Sequence, residues 1–372
     1  MISIKEVSAK KELKQFVKFP FSLYKNNPNW VPPIINDELA VFDKSKNPAF
    51  DTADAHFFLA YKNNKIVGRI AAIINHTEVR EQHIKKMRFG WFDVIDDVSV
   101  TEALLKKVAE IGVQNNLEYI EGPVGFSNLD KVGVLIEGFD HLGTMITWYN
   151  HPYYKEHLEE LGFVKEKEHL EWRMPFKNIK LEHFAKAQDL IKRRYQLKAL
   201  NFKSTSEVMQ YADNMFDLFN DSYAKLSTFT PITSKQREYF KKKYISFINP
   251  EYIKYVADKD DNLVAFAVTM PSFSKALQKA NGKLFPFGIF HLLKAKKTSK
   301  DVIFYLIGVH PDYQNKGVHA ILFNECYLTF DKLGIENCIR TPELEDNTAI
   351  QQIWKRFDPT LCKRRRTYRK NL

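Results

Sequence analysis

The residues with the clearest chemical meaning form a polar turn at positions 309–320, with the sequence VHPDYQNKGVHA. An apolar, β-prone run leads into this turn and a helical pattern leaves it. Unpaired backbone N–H groups and the positive end of the helix dipole meet there, which favours an anion. Gly317 lets the backbone approach a ligand closely, and Lys316 adds positive charge. The pattern predicts an anion site at the start of a helix.

The strand before this turn and the helix after it belong to a series of elements in the second half of the chain. We predict strands at 252–257, 263–269, 302–309 and 336–341, and helices at 206–226, 234–247, 318–333 and 348–357. A strand, a crossover helix and a parallel strand in this order indicate a sheet with helices packed on it.

The first half of the chain has a similar series. We predict strands at 56–61, 66–75, 89–95, 117–121 and 163–174, and helices at 100–115 and 154–161, with a hairpin turn at 62–65. The repeated order predicts an α/β (α+β) fold with two modules, 1–176 and 177–372. Each module is expected to be a mixed central sheet with helices on both faces.

The polar turn resembles the pyrophosphate loop of the GNAT (N-acetyltransferase) superfamily, which has the pattern [Q/R]-x-x-G-x-[G/A] after a strand ending in V-x-P. Gln314 and Gly317 match, Val309-x-Pro311 precedes them, and His319 departs from the pattern. The resemblance implies a tandem GNAT arrangement. It also implies that acetyl-CoA or another acyl-CoA binds as a substrate, without a metal, to Val309, Gln314, Asn315, Lys316, Gly317, Val318, His319 and Ala320.

Two further positions carry the resemblance toward the C-terminus. Asn347 matches the Asn that the family has after its fifth strand, and is assigned to the acyl-CoA site. Trp354 stands where the family often has a Tyr that protonates the departing CoA thiolate. An indole N–H is no useful acid, so Trp354 cannot take this role.

The first half departs from the family in its phosphate loop. Between the third predicted strand and the helix after it stand Asp96, Asp97 and Glu102, with no glycine. Carboxylates at this place repel a diphosphate. We therefore predict a degenerate first module that does not bind CoA, and that scaffolds or contributes to the acceptor cleft.

Acyl transfer needs a base that activates an acceptor amine or hydroxyl. Glu343 follows the strand where the family's sheet opens and is our first candidate, although a solvated loop carboxylate is an equally good interpretation. Tyr305, on the strand before the turn, is the second catalytic candidate, and His310 is expected only to flank the turn. The resemblance implies that backbone N–H near Val309 polarises the thioester carbonyl.

Composition limits the class of protein. Fifty-six Lys and Arg against 45 Asp and Glu give a formal charge of +11, which favours an anionic partner such as CoA or tRNA without choosing between them. Three cysteines lack metal or disulfide spacing, and no apolar run approaches the length of a membrane span. We expect a soluble, cytoplasmic protein.

Two segments lie outside these motifs. Residues 271–300 form a long apolar insertion, which is a lid over the site or, as we prefer, packs against the first module. The basic run at 363–366 is predicted to be part of a solvated final strand rather than a nucleic-acid patch.

The sequence thus favours an acyl-CoA-dependent N- or O-acyltransferase. An aminoacyl-tRNA-dependent transferase of the Fem type, also a tandem GNAT architecture, is the first alternative. A catalytically silent binding protein is the second, since Trp354 and His319 depart from the family pattern. Nucleic-acid binding without chemistry is possible but not favoured, because no helix-turn-helix pattern is present.

Overall fold

The computed structural model describes residues 1–127, 129–178, 181–226, 229–245, 247–354 and 357–372. The strands are Ile2–Glu6 (β1), Ala53–Lys62 (β2), Lys65–Asn75 (β3), Lys86–Val94 (β4), Tyr119–Gly122 (β5), Val134–Glu137 (β6), Val164–Pro175 (β7), Lys198–Asn201 (β8), Ile253–Ala257 (β9), Leu263–Pro271 (β10), Asp301–Val309 (β11), Asn337–Arg340 (β12), Glu343–Leu344 (β13) and Thr360–Asn371 (β14).

The helices pack on both faces of these strands. They are Lys10–Leu23 (α1), Ile35–Val41 (α2), Val98–Gln114 (α3), Tyr153–Glu160 (α4), Leu181–Tyr195 (α5), Thr205–Gln210 (α6), Ala212–Tyr223 (α7), Ser234–Phe240 (α8), Ser274–Ala280 (α9), Gly288–Thr298 (α10), His319–Lys332 (α11) and Thr348–Trp354 (α12). This mixed α/β architecture confirms the predicted fold class.

The strands of both halves join in one sheet. In the described part of the chain its order is β1-β2-β3-β4-β5-β14-β7-β12-β11-β10-β9-β8, with β6 beside β14 and β13 beside β7. The parallel pairs are β4 with β5 and β11 with β12, one in each half, and each is bridged by a crossover helix. The module boundary at 176–177 stays a prediction, because β7 pairs with strands from both halves.

The first half has its core where α3 packs on the sheet. The hairpin turn between β2 and β3 forms because Asn63 and Asn64 adopt left-handed backbone, with φ of 51° and 60°. Leu104 and Val108 of α3 are fully buried, and burial of each such side chain contributes about 1.5–3 kcal/mol. Gly68 makes the close packing possible, since a Cβ there would lie 2.8 Å from Leu104 Cδ1.

The second half differs from the sequence prediction in two helices. The helix predicted at 206–226 is two helices, α6 and α7, which meet at Tyr211. The helix predicted at 234–247 ends as α8 at Phe240 and continues as a wider turn over Lys241–Ile245. Position 246, and positions 355–356 in the helix predicted at 348–357, lie outside the described residues.

The last strand, β14, is buried in the sheet rather than solvated, so this part of the prediction was wrong. Arg365 is 1% exposed, and its guanidinium donates to Glu171 of β7 and, at 2.6 Å, to the Trp148 carbonyl. Arg364 and Arg366 donate to Glu168 at 2.6 Å. Because β14 lies between β5 and β7, these arginines neutralise carboxylates within the fold.

The two halves also meet through loops and side chains. Gln82 donates to the Phe229 carbonyl at 3.0 Å, and Lys235 pairs with Asp51 at 2.9 Å. The Tyr305 hydroxyl of β11 donates to the Leu129 carbonyl at 3.4 Å. The loop after β5 therefore borders the face of the second half that carries the predicted site.

Candidate active site

The sheet opens between β11 and β12. Parallel pairing runs from Asp301 opposite Asn337 to Phe304 opposite Arg340, and one more bond joins the Thr341 amide to the Phe304 carbonyl at 3.3 Å. After that point the chain turns away, and β13 pairs with β7 instead of β11. The second half of β11 therefore has β10 on one side and no strand on the other. The carbonyls of Tyr305, Ile307 and Val309 accept hydrogen bonds from side chains instead, and we call the strand-free side the open edge of β11.

The open edge leads into the polar turn. Pro311–Tyr313 forms one turn of 3-10 helix, and the turn then reverses through Asn315 and Gly317, whose φ angles are 62° and 77°. Within the described part of the chain, the amides of Asn315, Gly317 and Val318 donate to no carbonyl or side chain. Helix α11 begins directly after them, so these unbonded N–H groups lie at the positive end of its dipole.

The side chains of the turn divide into those that build it and those that face solvent. His310 accepts from the Asp312 amide at 3.2 Å, so it shapes the turn as expected for a flanking residue. Gln314 donates to the Val309 carbonyl at 3.2 Å and closes the end of β11. Asn315 and Lys316 are exposed, and the Lys316 ammonium lies over the Tyr195 and Tyr313 rings at 5.4 and 5.1 Å.

The start of α11 anchors the turn in the core. Val318 and Ala320 are buried, whereas His319 is half-buried with its ring 5.9 Å from the Phe323 ring. Gly317 is required at its position, because φ of 77° disfavours a side chain and a Cβ would lie 2.9 Å from Ile191 Cδ1. This arrangement can hold a diphosphate on main-chain amides, with Lys316 supplying charge.

Tyr305 stands at the point where β11 leaves β12, four residues or roughly 13 Å before Val309 along the strand. Its ring lies 6.1 Å from Tyr244, and burial raises the pKa of its phenol, helped by the nearby charge of Asp130. Tyr223 donates to the Ile307 carbonyl at 3.0 Å, and burial raises the pKa of Tyr223 to about 12. Both phenols are thus protonated donors at neutral pH.

Glu343 is engaged by a cation. Arg340 is 2% exposed and donates to both carboxylate oxygens of Glu343, through Nε at 2.8 Å and through Nη2. The guanidinium is held between the rings of Trp354, at 4.8 Å, and Trp172, at 5.6 Å. Burial raises the pKa of Glu343 and Arg340 opposes that rise. This carboxylate therefore forms an ion pair that neutralises a buried arginine.

Asn347 and Trp354 have structural contacts. Asn347 accepts from the Ile350 amide at 3.4 Å and so caps α12. Trp354 is 2% exposed and packs against Phe323 and Phe304, with ring centroids 4.6 and 5.2 Å apart. The indole fills the core beneath the open edge of β11. A role for Asn347 in acyl-CoA binding stays a prediction.

The sequence analysis missed a second carboxylate, Asp130. It lies on the loop after β5, where it accepts from the Ser127 amide at 2.8 Å and hydroxyl at 3.2 Å through one oxygen. Burial raises its pKa, and Ser127 opposes this. Asp130 lines a cleft between the halves together with Gln236, Lys243 and Tyr244. The sequence signal for this carboxylate is the S-x-x-D spacing of Ser127 and Asp130, between Gly125 and Gly133.

The corresponding turn of the first half, between β4 and α3, is short and already filled. Only Ile95, Asp96 and Asp97 separate the two elements. The Asp97 carboxylate accepts from the Ser99 amide at 3.1 Å, which caps the helix, and pairs with Lys62 at 2.7 Å. A carboxylate therefore occupies the end of α3 where a diphosphate would need to bind.

Known proteins resemble the chain over its full length. It is 30% identical over 374 residues to protein YghO of Escherichia coli K12, covering 98% of this chain and 94% of that protein. It is 25% identical to the bacterial ceramide synthase of Caulobacter vibrioides, covering 100% and 98%. No protein-family model matches the chain.

Solved structures place the fold. A tandem GNAT protein from the clavulanic acid biosynthesis pathway superposes with a TM-score of 0.59 at 10% identity, over 100% of this chain and 98% of that one. At this identity the likeness concerns the fold alone, and it confirms the tandem arrangement predicted from the polar turn. The chain belongs to the family of protein YghO and has a tandem GNAT fold.

Proposed function

We propose that the chain is an acyl-CoA-dependent N-acyltransferase whose acyl-CoA lies along the open edge of β11. The observation that carries this proposal is the turn at Asn315–Val318, where three unbonded amides precede a helix at the end of an unpaired strand edge. A diphosphate on these amides would let an extended pantetheine arm follow β11 back toward Tyr305. The thioester would then lie beside the cleft between the halves.

The relatives support an amine as the acceptor. The Caulobacter relative is named a bacterial ceramide synthase, and a ceramide is a fatty amide of a long-chain amino alcohol. Formation of such an amide is an N-acyl transfer. We therefore narrow the predicted N- or O-transfer to N-transfer, and propose a lipophilic amine as the acceptor class.

The chemistry needs a base, an electrostatic stabiliser and a proton donor. The acceptor ammonium first loses a proton to solvent, and a carboxylate at the cleft takes a second proton from the neutral amine as its nitrogen attacks the thioester carbonyl. The carboxylate later releases this proton to solvent. Main-chain N–H near Val309 stabilises the oxyanion. The carbon–sulfur bond then breaks, and the CoA thiolate takes a proton from a donor such as Tyr305, which later recovers it through the solvent.

Two carboxylates compete for the role of base. Glu343, predicted from the sequence, is tied by both oxygens to buried Arg340. In Asp130, the hydrogen bonds from Ser127 engage only Oδ2. We propose that one of the two is the base, and the geometry favours Asp130. The first half would then contribute to the acceptor cleft, as the sequence had suggested. We retain the cytoplasm as the proposed location.

Thermal unfolding with different ligands tests this proposal. We expect acyl-CoA to stabilise the chain, by about 2.7 kcal/mol at 100 times its dissociation constant, and ADP, which lacks the pantetheine arm, to stabilise it less. Thiol release should follow when a long-chain amino alcohol is added to acetyl-CoA or palmitoyl-CoA. A shift without thiol release from any amine would indicate a silent binding protein. A salt-sensitive shift with tRNA alone would indicate the Fem-type alternative.

A further inference from the structure

The insertion between β10 and β11 displays large apolar side chains to solvent. Phe285, Phe287 and Phe290 are 75%, 72% and 64% exposed, and Leu293 of α10 is 46% exposed. They lie at the start of α10 and on its outward side. We call residues 283–297 the basic apolar tip. Such an apolar patch on a protein surface marks a binding surface.

The whole insertion that carries this tip, residues 271–300, is positively charged. Residues 271–300 contain seven lysines and no Asp or Glu, whereas the whole chain has a net charge of +11. Lys294 and Lys297 follow the exposed Leu293 on α10, and Lys283 precedes Phe285. None of the seven lysines forms an ion pair with another described residue. Lys300 donates to the Gly334 carbonyl and Lys296 lies over the Phe247 ring, and the charge of the other five is available to an external partner.

The tip stands on a firmly packed base. Leu277, Ala280 and Leu292 are buried against Val31 and Ile34 of the first half. This contact confirms that the insertion packs against the first half, as we preferred.

Hydrogen bonds hold the same base. Gln278 donates to the carbonyls of Pro28 and Trp30 at 2.7 and 3.0 Å, and Ser274 donates to the Gly143 carbonyl at 2.8 Å. The exposed phenylalanines thus belong to an ordered segment whose inner face is already used.

We propose that the basic apolar tip docks on a phospholipid bilayer rich in anionic lipids. Phenylalanines would enter the boundary between headgroups and acyl chains while lysines contact anionic headgroups, as in interfacial amphipathic helices. Helix α10 has 11 residues and is too short to cross a bilayer, and no helix in the described part of the chain is long and apolar enough to do so.

The positive charge of the tip favours an anionic bilayer, rather than a second copy of the chain, as its partner. A symmetric dimer through the tip would bring its lysines against those of the partner, because neither side carries a carboxylate in this segment. Like charges across such an interface repel. An anionic lipid surface complements both the lysines and the phenylalanines.

The position of the tip deepens the proposed function, on which this step rests. The Lys296 ammonium lies 5.2 Å over the Phe247 ring, and Phe247 packs on Phe273 at the base of the insertion. Phe247 follows the turn that carries Tyr244, which lines the cleft. Docking would bring the acceptor side of the cleft to the membrane, where a lipophilic amine is dissolved.

Flotation with vesicles tests the docking without acyl-CoA or acceptor, so its outcome is separate from that of the proposed function. We expect the full chain to bind vesicles of phosphatidylcholine with 30% phosphatidylglycerol at least tenfold more tightly than phosphatidylcholine alone. Replacing Phe285, Phe287 and Phe290 together by Ser should weaken binding by tenfold or more. Lys294→Gln with Lys297→Gln should weaken it several-fold and reduce its dependence on salt.

Matched controls use residues of similar exposure elsewhere. Val113, Leu190 and Leu328 are 61%, 61% and 51% exposed, and their joint replacement by Ser should leave binding unchanged. Lys10→Gln with Lys11→Gln, on α1, is the control for the variant at Lys294 and Lys297, and it should leave vesicle binding unchanged.

The docking proposal fails if the wild-type chain does not bind anionic vesicles, or if the phenylalanine variant binds them as tightly as the wild type does. Sedimentation without vesicles gives the third way to overturn it. A dimer that the phenylalanine variant dissociates would assign the tip to self-association.

Discussion

The two strand-to-helix turns of this chain differ in the features that an anion site requires beyond a helix. In the first half three residues join β4 to α3, and Asp97 caps the helix with its own carboxylate. In the second half the turn from β11 to α11 is longer, Asn315 and Gly317 adopt left-handed backbone, and three amides of the turn have no partner among the described residues. Both helices have the same dipole, so the length and residues of the turn decide whether an external anion can bind.

The strands that precede these turns, β4 and β11, differ in whether their edges are covered by backbone. After β5 the chain stays against β4, with the Val124 amide bonded to the Phe89 carbonyl at 2.7 Å. A Cβ at Gly90 would lie 2.3 Å from the Val124 carbonyl oxygen, so backbone closes the edge. After β12 the chain leaves β11 and the edge is open. We propose on this ground that the second half holds the ligand groove and that the first half forms a wall of the cleft.

The largest effect should come from removing the catalytic base. This substitution tests which half of the chain supplies the base. Asp130→Asn should lower kcat by about 100-fold or more, because positioned bases contribute that much. The pKa of Asp130 is raised by burial, so wild-type kcat/KM should fall as this carboxyl protonates, and the variant should lose that limb of the pH profile. Steady-state thiol release across pH measures both.

Glu343→Gln is the matching change in the second half. It leaves Arg340 buried without a counter-charge, and we expect a loss of about 3 kcal/mol in the free energy of unfolding by urea. Asp331→Asn, on the exposed end of α11, is the control for the loss of one carboxylate. The base would instead be Glu343 of the second half if the Glu343→Gln variant were stable with a 100-fold lower kcat while the Asp130→Asn variant remained active.

A smaller effect should follow from blocking the open turn. Gly317→Val places a branched side chain at φ of 77° and against Ile191, so the amides can no longer keep their direction. We expect KM for acyl-CoA to rise by about 30-fold, the equivalent of roughly 2 kcal/mol, with a smaller change in kcat. Initial rates measured at a series of acyl-CoA concentrations give KM and kcat for the variant and the wild type.

Gly162 provides a matched control for backbone strain. It ends α4 in the first half with the same φ of 77°, and the nearest atom to an added Cβ is Lys370 Nζ at 4.0 Å. Gly162→Val should cost about 1–2 kcal/mol of stability, as Gly317→Val does, without changing KM. An equal change of KM in both variants would mean that strain, and not the turn, controls acyl-CoA binding.

Local patterns were enough to predict most elements and the polar turn. The β2–β3 hairpin, α3 and α11 follow from hydrophobic period and turn residues that lie within one segment. Gly317 was identified because its chemistry depends on backbone that is local to the turn. The fold class followed from the repeated order of elements.

Contacts between distant segments were beyond the same reasoning. A run of charges in β14 was predicted to be solvated, because the partners Glu168 and Glu171 lie almost 200 residues earlier. Asp130 was missed for a similar reason, since its cleft forms only when α8 of the second half packs beside the loop after β5. Pairing of this kind depends on topology, which single-segment patterns do not encode.

The smallest effect should come from opening the closed turn. Asp97→Ala removes the cap of α3 and the pair with Lys62, and should cost about 1 kcal/mol in the free energy of unfolding at neutral pH. Hydrogen bonds from Lys62 and Ser99 lower the pKa of Asp97, so its stabilisation is present above the unfolded pKa and disappears as pH falls through the folded one. Urea unfolding at pH 7 and at pH 3 should therefore show the wild type and variant converging in acid. Asp96→Ala, whose 72% exposed side chain pairs with His157, should change little and is the control. Calorimetry should still give one acyl-CoA per chain in Asp97→Ala, because the short turn has no left-handed backbone like that at Asn315 and Gly317 and keeps the Asp96 carboxylate beside the freed Ser99 amide. A second equivalent bound by this variant would show that Asp97 alone separates the two halves in function.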